Sequence, residues 1–196
     1  MSHEHRELSA DRVYTFDRQT IALDGVDASG LILDMGGGGE GIIGMLEGEQ
    51  VVAIDRRKRE LEEAADGPLK IVMDARDLQF LDGSFEVVTS FFTLMYLDRA
   101  DHEQVFEEAY RVLVPGGRFL IWGGNLLESG NEEKDVLLLP LLVELPRVEA
   151  EAGYGVLRPD DPSGLEDHVE LARAVGFDIV ERWEREHVFY LSLRKA

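Results

Sequence analysis

Cysteine is absent from the sequence, and lysine and long apolar runs are scarce. Without cysteine the chain has no disulfide framework, no thiolate metal site and no cysteine nucleophile. The longest strongly apolar run, residues 136–143, is too short to cross a bilayer and contains Pro140. No signal peptide stands out either. We therefore expect a cytoplasmic protein that neither spans nor binds a membrane.

Positive charge is also in short supply. The 20 lysine and arginine residues face 40 aspartate and glutamate residues, which gives a formal net charge of -20. Such a chain repels nucleic acid phosphates and anionic membrane surfaces, so we expect no nucleic acid partner. A length of 196 residues with 44% hydrophobic content predicts a single domain, residues 1–196, with one substantial core.

The most informative stretch is glycine-rich and spans residues 31–44. Leu31, Ile32 and Leu33 indicate a short buried strand that Asp34 ends. The glycines at positions 36–39 then allow a tight turn, because they have no Cβ. An apolar helical pattern follows. A strand, a glycine turn and a helix together bring bare backbone and a helix N-terminus to a ligand in α/β proteins.

Asp34 indicates which ligand this turn binds. Gly36, Gly38 and Gly41 also satisfy the dinucleotide pattern G-x-G-x-x-G. However, a carboxylate two residues before the first glycine would repel a pyrophosphate and favour a cation. S-adenosylmethionine carries an ammonium and a sulfonium and has no phosphate. The sequence therefore favours that cofactor over a nicotinamide dinucleotide.

A second acid lies where a ribose is expected. Asp55 closes a second short apolar strand, at close to the usual spacing from the glycine turn. Its carboxylate can accept hydrogen bonds from both ribose hydroxyls. Arg56 and Arg57 follow, and they either contact a ribose phosphate or lie on the solvated face of a helix.

The chain resembles the class I S-adenosylmethionine-dependent methyltransferases of the small-molecule, type 11 kind. Five ordered blocks carry the resemblance: Leu33-Asp34-Met35-Gly36-Gly37-Gly38; Ile54-Asp55; Met73-Asp74-Ala75; Asp82-Gly83-Ser84-Phe85-Glu86-Val87-Val88; and Arg111-Val112-Leu113-Val114-Pro115-Gly116-Gly117-Arg118-Phe119. The chain departs from the family's D-x-G-x-G-x-G run at one position, because Glu40 replaces the third glycine.

This resemblance implies an α/β fold of the Rossmann-like kind. A three-layer α/β/α sandwich would surround a seven-stranded, mostly parallel sheet that ends in an antiparallel hairpin. The resemblance also implies that Asp74 accepts from the adenine amine and that the Ala75 backbone N–H meets a ring nitrogen. The expected cofactor contacts are Asp34, Met35, Gly36, Gly37, Gly38, Asp55, Arg56, Asp74, Ala75, Ser90 and Phe91.

Three tyrosines are candidates for the acceptor side of the site. Tyr14 and Phe16 precede a predicted helix at residues 19–23, and they either wall the pocket or pack on the sheet. Tyr96 follows the fourth strand of the predicted sheet, where parallel sheets bind ligands. Tyr154 lies in an inserted segment, residues 125–162. There, residues 136–143 predict an edge strand because of Pro140, with residues 154–157 as its hairpin partner.

The sequence thus predicts methyl transfer from S-adenosylmethionine to a small, neutral or cationic acceptor. The inserted segment forms the mouth of the site, a homodimer surface through residues 136–157, or an ordinary satellite core. No motif indicates a general base, so no catalytic residue is assigned, and the histidines lack metal-ligand spacing. The alternatives are a binding module on the same fold that transfers nothing and a nicotinamide-dependent reductase.

Overall fold

The computed structural model describes residues 10–126 and 133–196. Its strands are β1 (Val13–Thr15), β2 (Gln19–Ala22), β3 (Ile32–Met35), β4 (Val51–Asp55), β5 (Leu69–Val72), β6 (Phe85–Phe91), β7 (Leu113–Gly124), β8 (Val136–Glu144), β9 (Glu149–Leu157), β10 (Phe177–Arg185) and β11 (Val188–Lys195). Its α-helices are α1 (Ile42–Glu47), α2 (Lys58–Glu63), α3 (His102–Val112) and α4 (Leu165–Val175).

The larger sheet has seven strands within the described residues, in the order β10-β11-β7-β6-β3-β4-β5. β3 pairs in parallel with β4 and β6, and the parallel pairing continues to β5 on one side and β7 on the other. β11 and β10 complete the sheet as an antiparallel hairpin. The predicted fold class is confirmed.

A second sheet joins the start of the chain to the inserted segment. β8 pairs with β1 and β2 along one edge and with β9 along the other, where residues 136–144 run antiparallel to residues 149–157. The predicted hairpin is therefore present. The helix predicted at residues 19–23 is wrong, because Gln19 and Ile21 are buried while Thr20 and Ala22 are exposed. That alternation is typical of a strand.

β8 is an inner strand, so the edge position predicted from Pro140 is also wrong. β1 pairs with Val136, Leu137 and Leu138, and β2 resumes the pairing at Leu141. Pro140 falls in the gap between these two partners. Its missing backbone N–H therefore interrupts no hydrogen-bonded pairing with β1 or β2, and the chain tolerates a proline that an uninterrupted inner strand excludes.

The two faces of the larger sheet are covered differently. α3 and α4 pack on one face, where Val105, Phe106 and Val169 are among the buried side chains. α1 and the second sheet cover the other face, and Leu137, Leu139 and Leu141 of β8 pack there with Ile43. The second sheet thus lies in the layer where the sequence predicted helices, and this brings β9 to the carboxyl ends of the parallel strands. No helix of the described ranges is long and apolar enough to cross a bilayer.

Candidate active site

A cleft of about 960 Å³ opens at the carboxyl ends of the parallel strands. In open α/β sheets this edge is where ligands bind. The glycine turn after β3 and the residues after β4 and β5 line one side, and the residues after β6 together with β9 line the other. Within the described ranges, no group of three or more His, Cys, Asp or Glu side chains is placed to hold a metal ion.

The glycine turn presents bare backbone to two carboxylates. Gly36 has a left-handed backbone with φ of 78°, and its N–H donates to the Ile54 carbonyl at 2.8 Å. A Cβ added to Gly37 would lie 2.6 Å from Oδ2 of Asp34, and one added to Gly38 would lie 2.9 Å from Oδ2 of Asp55. These contacts are too short for any side chain. The absence of Cβ atoms is therefore what lets this backbone pass beside both acids.

Glu40 occupies the third glycine position without strain. The left-handed residues are its neighbours, Gly39 with φ of 61° and Gly41 with φ of 60°. Gly41 also provides the carbonyl that accepts from the Met45 N–H at 2.9 Å in the first turn of α1. The turn is thus offset by one residue from the family pattern, which leaves Glu40 free to carry a side chain toward the cleft.

Asp34 lies at the centre of the cleft and is only 2% exposed. The Thr89 hydroxyl on β6 donates to its Oδ1 at 2.8 Å. Burial raises the pKa of Asp34 to about 7, the Thr89 hydrogen bond opposes that rise, and the nearby charge of Asp55 adds to it. A buried carboxyl of this kind becomes fully ionised when a cation is bound beside it.

Asp55 and Asp74 follow Asp34 along the sheet edge. Oδ1 of Asp55 accepts from the Arg57 backbone N–H at 2.8 Å, and the side chain of Asp55 is largely buried. Arg76 donates hydrogen bonds to both carboxylate oxygens of Asp74. Its Nε lies 3.0 Å from Oδ1, and its second terminal nitrogen lies 2.8 Å from Oδ2. The hydrogen bond from Arg76 is the main reason why the pKa of Asp74 is lowered. Asp74 is therefore a fixed, ionised acceptor.

Aromatic side chains form the opposite wall. Tyr154 of β9 stacks on Phe92 with ring centroids 4.9 Å apart and planes 9° apart, and it meets Phe91 edge-on at 6.2 Å. Phe92 has a left-handed backbone with φ of 56°, which is a strained conformation for a bulky residue. Strain of this kind occurs often at functional sites. Burial raises the pKa of Tyr96, on the same side of the cleft, to about 12.

The structure brings most of the predicted site residues to this one cleft. Those that line it are Asp34, Gly36, Gly37, Gly38, Asp55, Arg56, Asp74, Ala75, Phe91, Tyr96 and Tyr154. Arg56 lies with its Nε 3.4 Å from the Asp74 carboxylate.

Three predicted residues do not line the cleft. The Met35 side chain is buried in the core on the α3 side of the sheet, and its carbonyl accepts from the Thr93 hydroxyl at 2.8 Å. Ser90 is fully buried, and its hydroxyl has no hydrogen-bond partner among the described residues. Tyr14 belongs to β1 of the second sheet, is partly buried, and packs edge-on against Phe16 with ring centroids 4.9 Å apart.

The sequence did not point to several residues that shape the cleft. Arg76 holds Asp74 from only two positions away, so the Asp-Ala-Arg spacing is a signal that could have identified it. Thr89 pairs with Asp34 across neighbouring strands, and Phe92 stacks on a residue of the second sheet. Those two contacts join parts of the chain that are far apart, and no local pattern predicts them.

The comparisons with known proteins agree with this geometry. Residues 33–121 match the model of a type 11 methyltransferase domain. The fold resembles that of an S-adenosylmethionine-dependent methyltransferase from Methanosarcina mazei, with a TM-score of 0.60 and 18% identity over 84% of this chain and 91% of that one. The chain thus has the fold of S-adenosylmethionine-dependent methyltransferases, and its residues 33–121 are similar in sequence to a methyltransferase domain.

Two curated proteins are more similar in sequence to this chain than the Methanosarcina mazei protein is, over part of their length. The ubiquinone/menaquinone biosynthesis C-methyltransferase UbiE of Desulfotalea psychrophila is 36% identical over 110 residues, which are 52% of this chain and 44% of that protein. The UbiE of Pseudoalteromonas translucida is 32% identical over 135 residues, 61% of this chain and 51% of that protein. The chain thus spans about half the length of these curated relatives.

Proposed function

We propose that the chain transfers the methyl group of S-adenosylmethionine to a small-molecule acceptor. One observation carries the proposal. Asp34, Asp55 and Asp74 lie at or just after the carboxyl ends of three adjacent parallel strands, around one cleft that the glycine turn also lines. Three acids and bare backbone in this order suit a ligand with a cationic end, a ribose and an adenine.

The residues present fit that cofactor. Asp34 is buried beside the turn, where a cationic group would offset the cost of ionising it. The carboxylate of Asp55 faces the Gly38 backbone and can accept from the ribose hydroxyls. Arg76 donates twice to Oδ1 of Asp74 and once to Oδ2, so Oδ2 keeps a lone pair that can accept from the adenine amine, with Ala75 beside it.

The chain's own residues position, enclose and orient the reactants. When bound, S-adenosylmethionine supplies a methyl group that its sulfonium makes electrophilic. Holding two reactants close and in line accounts for much of the acceleration in such a reaction. Phe91, Phe92 and Tyr154 exclude water from one side of the cleft. Tyr96 and Tyr154 both have raised pKa values, so they stay protonated at neutral pH and serve as hydrogen-bond donors rather than bases.

The acceptor enters between the residues after β6 and strand β9, so Tyr96 and Tyr154 remain its candidate contacts. Tyr14 is withdrawn from that role, because it does not line the cleft and packs against Phe16 instead. The relatives named as ubiquinone/menaquinone biosynthesis C-methyltransferases support a small-molecule acceptor. A homodimer through residues 136–157 stays a prediction that equilibrium ultracentrifugation tests.

Turnover tests the proposal directly. The purified chain is incubated with S-adenosylmethionine and fractions of a small-molecule extract, and S-adenosylhomocysteine is quantified. We expect product above the acceptor-free blank in at least one fraction, and its loss in Asp55→Ala. Binding of the cofactor without turnover in any fraction would instead support the binding module on the same fold.

A further inference from the structure

One carboxylate in the cleft is unlike the others. Glu40 lines the cleft, and it makes no ion pair or hydrogen bond with any of the described residues. The other cleft carboxylates all have partners: Asp34 with Thr89, Asp55 and Glu60 with Arg57, Glu63 with Arg59, and Asp74 with Arg76. The two cleft arginines, Arg56 and Arg57, are themselves paired. Among the described residues, no positive side chain is therefore paired with the solvent-exposed carboxylate of Glu40.

Glu40 lines the same cleft as Tyr96 and Tyr154. Its charge is the first electrostatic cause, after burial, of the raised pKa of both Tyr96 and Tyr154. One carboxylate thus lies close to two phenol groups that come from different parts of the chain. Arg57 and Glu60 also face Tyr96, and Asp34 faces Tyr154. The sum of these charges at the aromatic end is negative.

The aromatic wall of the same cleft includes a tightly packed tyrosine. Tyr154 is held flat against Phe92, and it is flanked by Gly153 and Gly155, which add no side chains to the cleft wall. The backbone N–H of Gly155 lies against the Tyr96 phenol oxygen, so β9 and the segment after β6 meet here. The second sheet therefore supplies part of a preformed aromatic subsite.

We propose that Glu40, Tyr96 and Tyr154 form the subsite that binds a positively charged amine of the methyl acceptor. The inference rests on the proposed function and names its substrate class. A carboxylate gives an ammonium group a charge-assisted hydrogen bond, and aromatic faces attract a cation. An acceptor that carries a carboxylate or phosphate at this end meets the unpaired charge of Glu40 and is repelled.

Three probes of one shape and different charge test the subsite: phenethylamine, phenethyl alcohol and phenylacetate. Dissociation constants are measured by ligand-observed NMR, with and without S-adenosylhomocysteine. We expect phenethylamine to bind about tenfold more tightly than phenylacetate, with the alcohol between them. Glu40→Gln should abolish most of that preference and leave S-adenosylhomocysteine affinity unchanged. Glu49→Gln, which alters an exposed carboxylate outside the cleft, is the matched control and should change neither.

The outcomes separate this inference from the proposed function. Equal dissociation constants for phenethylamine and phenylacetate overturn the subsite. The subsite is also overturned if the protein binds S-adenosylhomocysteine but none of the three probes. If Glu40→Gln weakens the binding of S-adenosylhomocysteine as much as it weakens the binding of phenethylamine, the subsite is also overturned, because Glu40 then binds the cofactor. Failure of S-adenosylhomocysteine to bind the unaltered protein contradicts the proposed function itself.

Discussion

The Thr89 hydroxyl donates to the Asp34 carboxylate at 2.8 Å, and both residues are almost completely buried. The pair joins β3 to β6 directly beneath the glycine turn. Burial removes water from the Asp34 carboxyl and raises its pKa to about 7, although the Thr89 hydrogen bond opposes that rise. The acid at the centre of the cleft therefore titrates near neutral pH.

This pKa predicts a pH-dependent cofactor affinity. A bound cation favours the ionised form of Asp34, so binding should release a proton when the empty site is protonated. Affinity for S-adenosylhomocysteine should be constant above about pH 8 and should fall by up to about tenfold per unit below pH 7. Calorimetry in buffers of different ionisation heat measures both the affinity and the released proton. An affinity that does not change with pH, with no proton release, contradicts the role of Asp34.

Asp34→Asn is the matched variant, because it keeps the shape and can accept from Thr89. Since the pKa is raised in the folded protein, Asp34 stabilises the fold fully below its unfolded pKa of about 4 and loses that contribution as pH rises toward 7. The variant should therefore bind the cofactor weakly but unfold at a higher temperature than the parent at about pH 8. The difference in unfolding temperature between the variant and the parent should become smaller at acid pH, and thermal unfolding over a pH series measures it.

The glycine turn gives a steric prediction. A Cβ on Gly38 would lie 2.5 Å from the Glu60 Cβ and 2.9 Å from Oδ2 of Asp55, so Gly38→Ala must displace α2 or the carboxylate. We expect a loss of stability of about 1–3 kcal/mol and at least tenfold weaker cofactor binding. Gly164→Ala is the control, because nothing lies within 4 Å of its added Cβ. Equal affinities of the two variants would remove the turn from the site.

Arg76 should act as a positioning residue for Asp74. It holds both carboxylate oxygens of Asp74 and also contacts Asp101 at 2.6 Å. Arg76→Ala should weaken cofactor binding several-fold by releasing the Asp74 side chain, while Arg76→Lys should restore part of it. Arg182→Ala removes an exposed ion pair with Glu166, away from the cleft, and should leave affinity unchanged. If calorimetry gives Arg76→Ala the same cofactor affinity as Arg182→Ala, Arg76 does not position Asp74 for the cofactor.

His168 should make the fold sensitive to acid. It is buried between α3 and α4 and stacks on His102 at 5.2 Å, and burial lowers its pKa to about 4. Because the unfolded chain takes up a proton more readily, stability should fall as pH drops from about 6.5 toward 4. His168→Gln should lose less stability than the parent over that range. The free energy of unfolding of both proteins is measured with urea over this pH range. An equal decrease in the two proteins would contradict this assignment.

The sequence predicted the part of the fold that local patterns encode. Asp34 and its glycine turn, Asp55 with its strand, and Asp74 with Ala75 are each short segments in which strand, turn and acid follow one another directly. Asp55 is the last residue of β4, as the sequence predicts. In these segments the apolar period and the turn residues decide the structure without help from distant partners.

The second sheet could not be predicted in the same way. β2 is a strand because it pairs with β8, whose residues lie more than a hundred positions away. Pro140 indicates an edge strand locally, and only the gap between β1 and β2 accommodates it within the sheet. The same long-range pairing places Tyr154 on Phe92, so the aromatic wall depends on contacts that no single segment encodes.

The assignment of the cofactor site is tested most directly by isothermal calorimetry. S-adenosylmethionine, S-adenosylhomocysteine and NAD are titrated into the purified chain and into Asp55→Ala. We predict one site per chain for the first two ligands, no heat with NAD, and a loss of about 1.5–3 kcal/mol of binding free energy in the variant, which is the scale of a hydrogen bond to a charged group. Heat with NAD and none with either S-adenosyl compound would contradict the account.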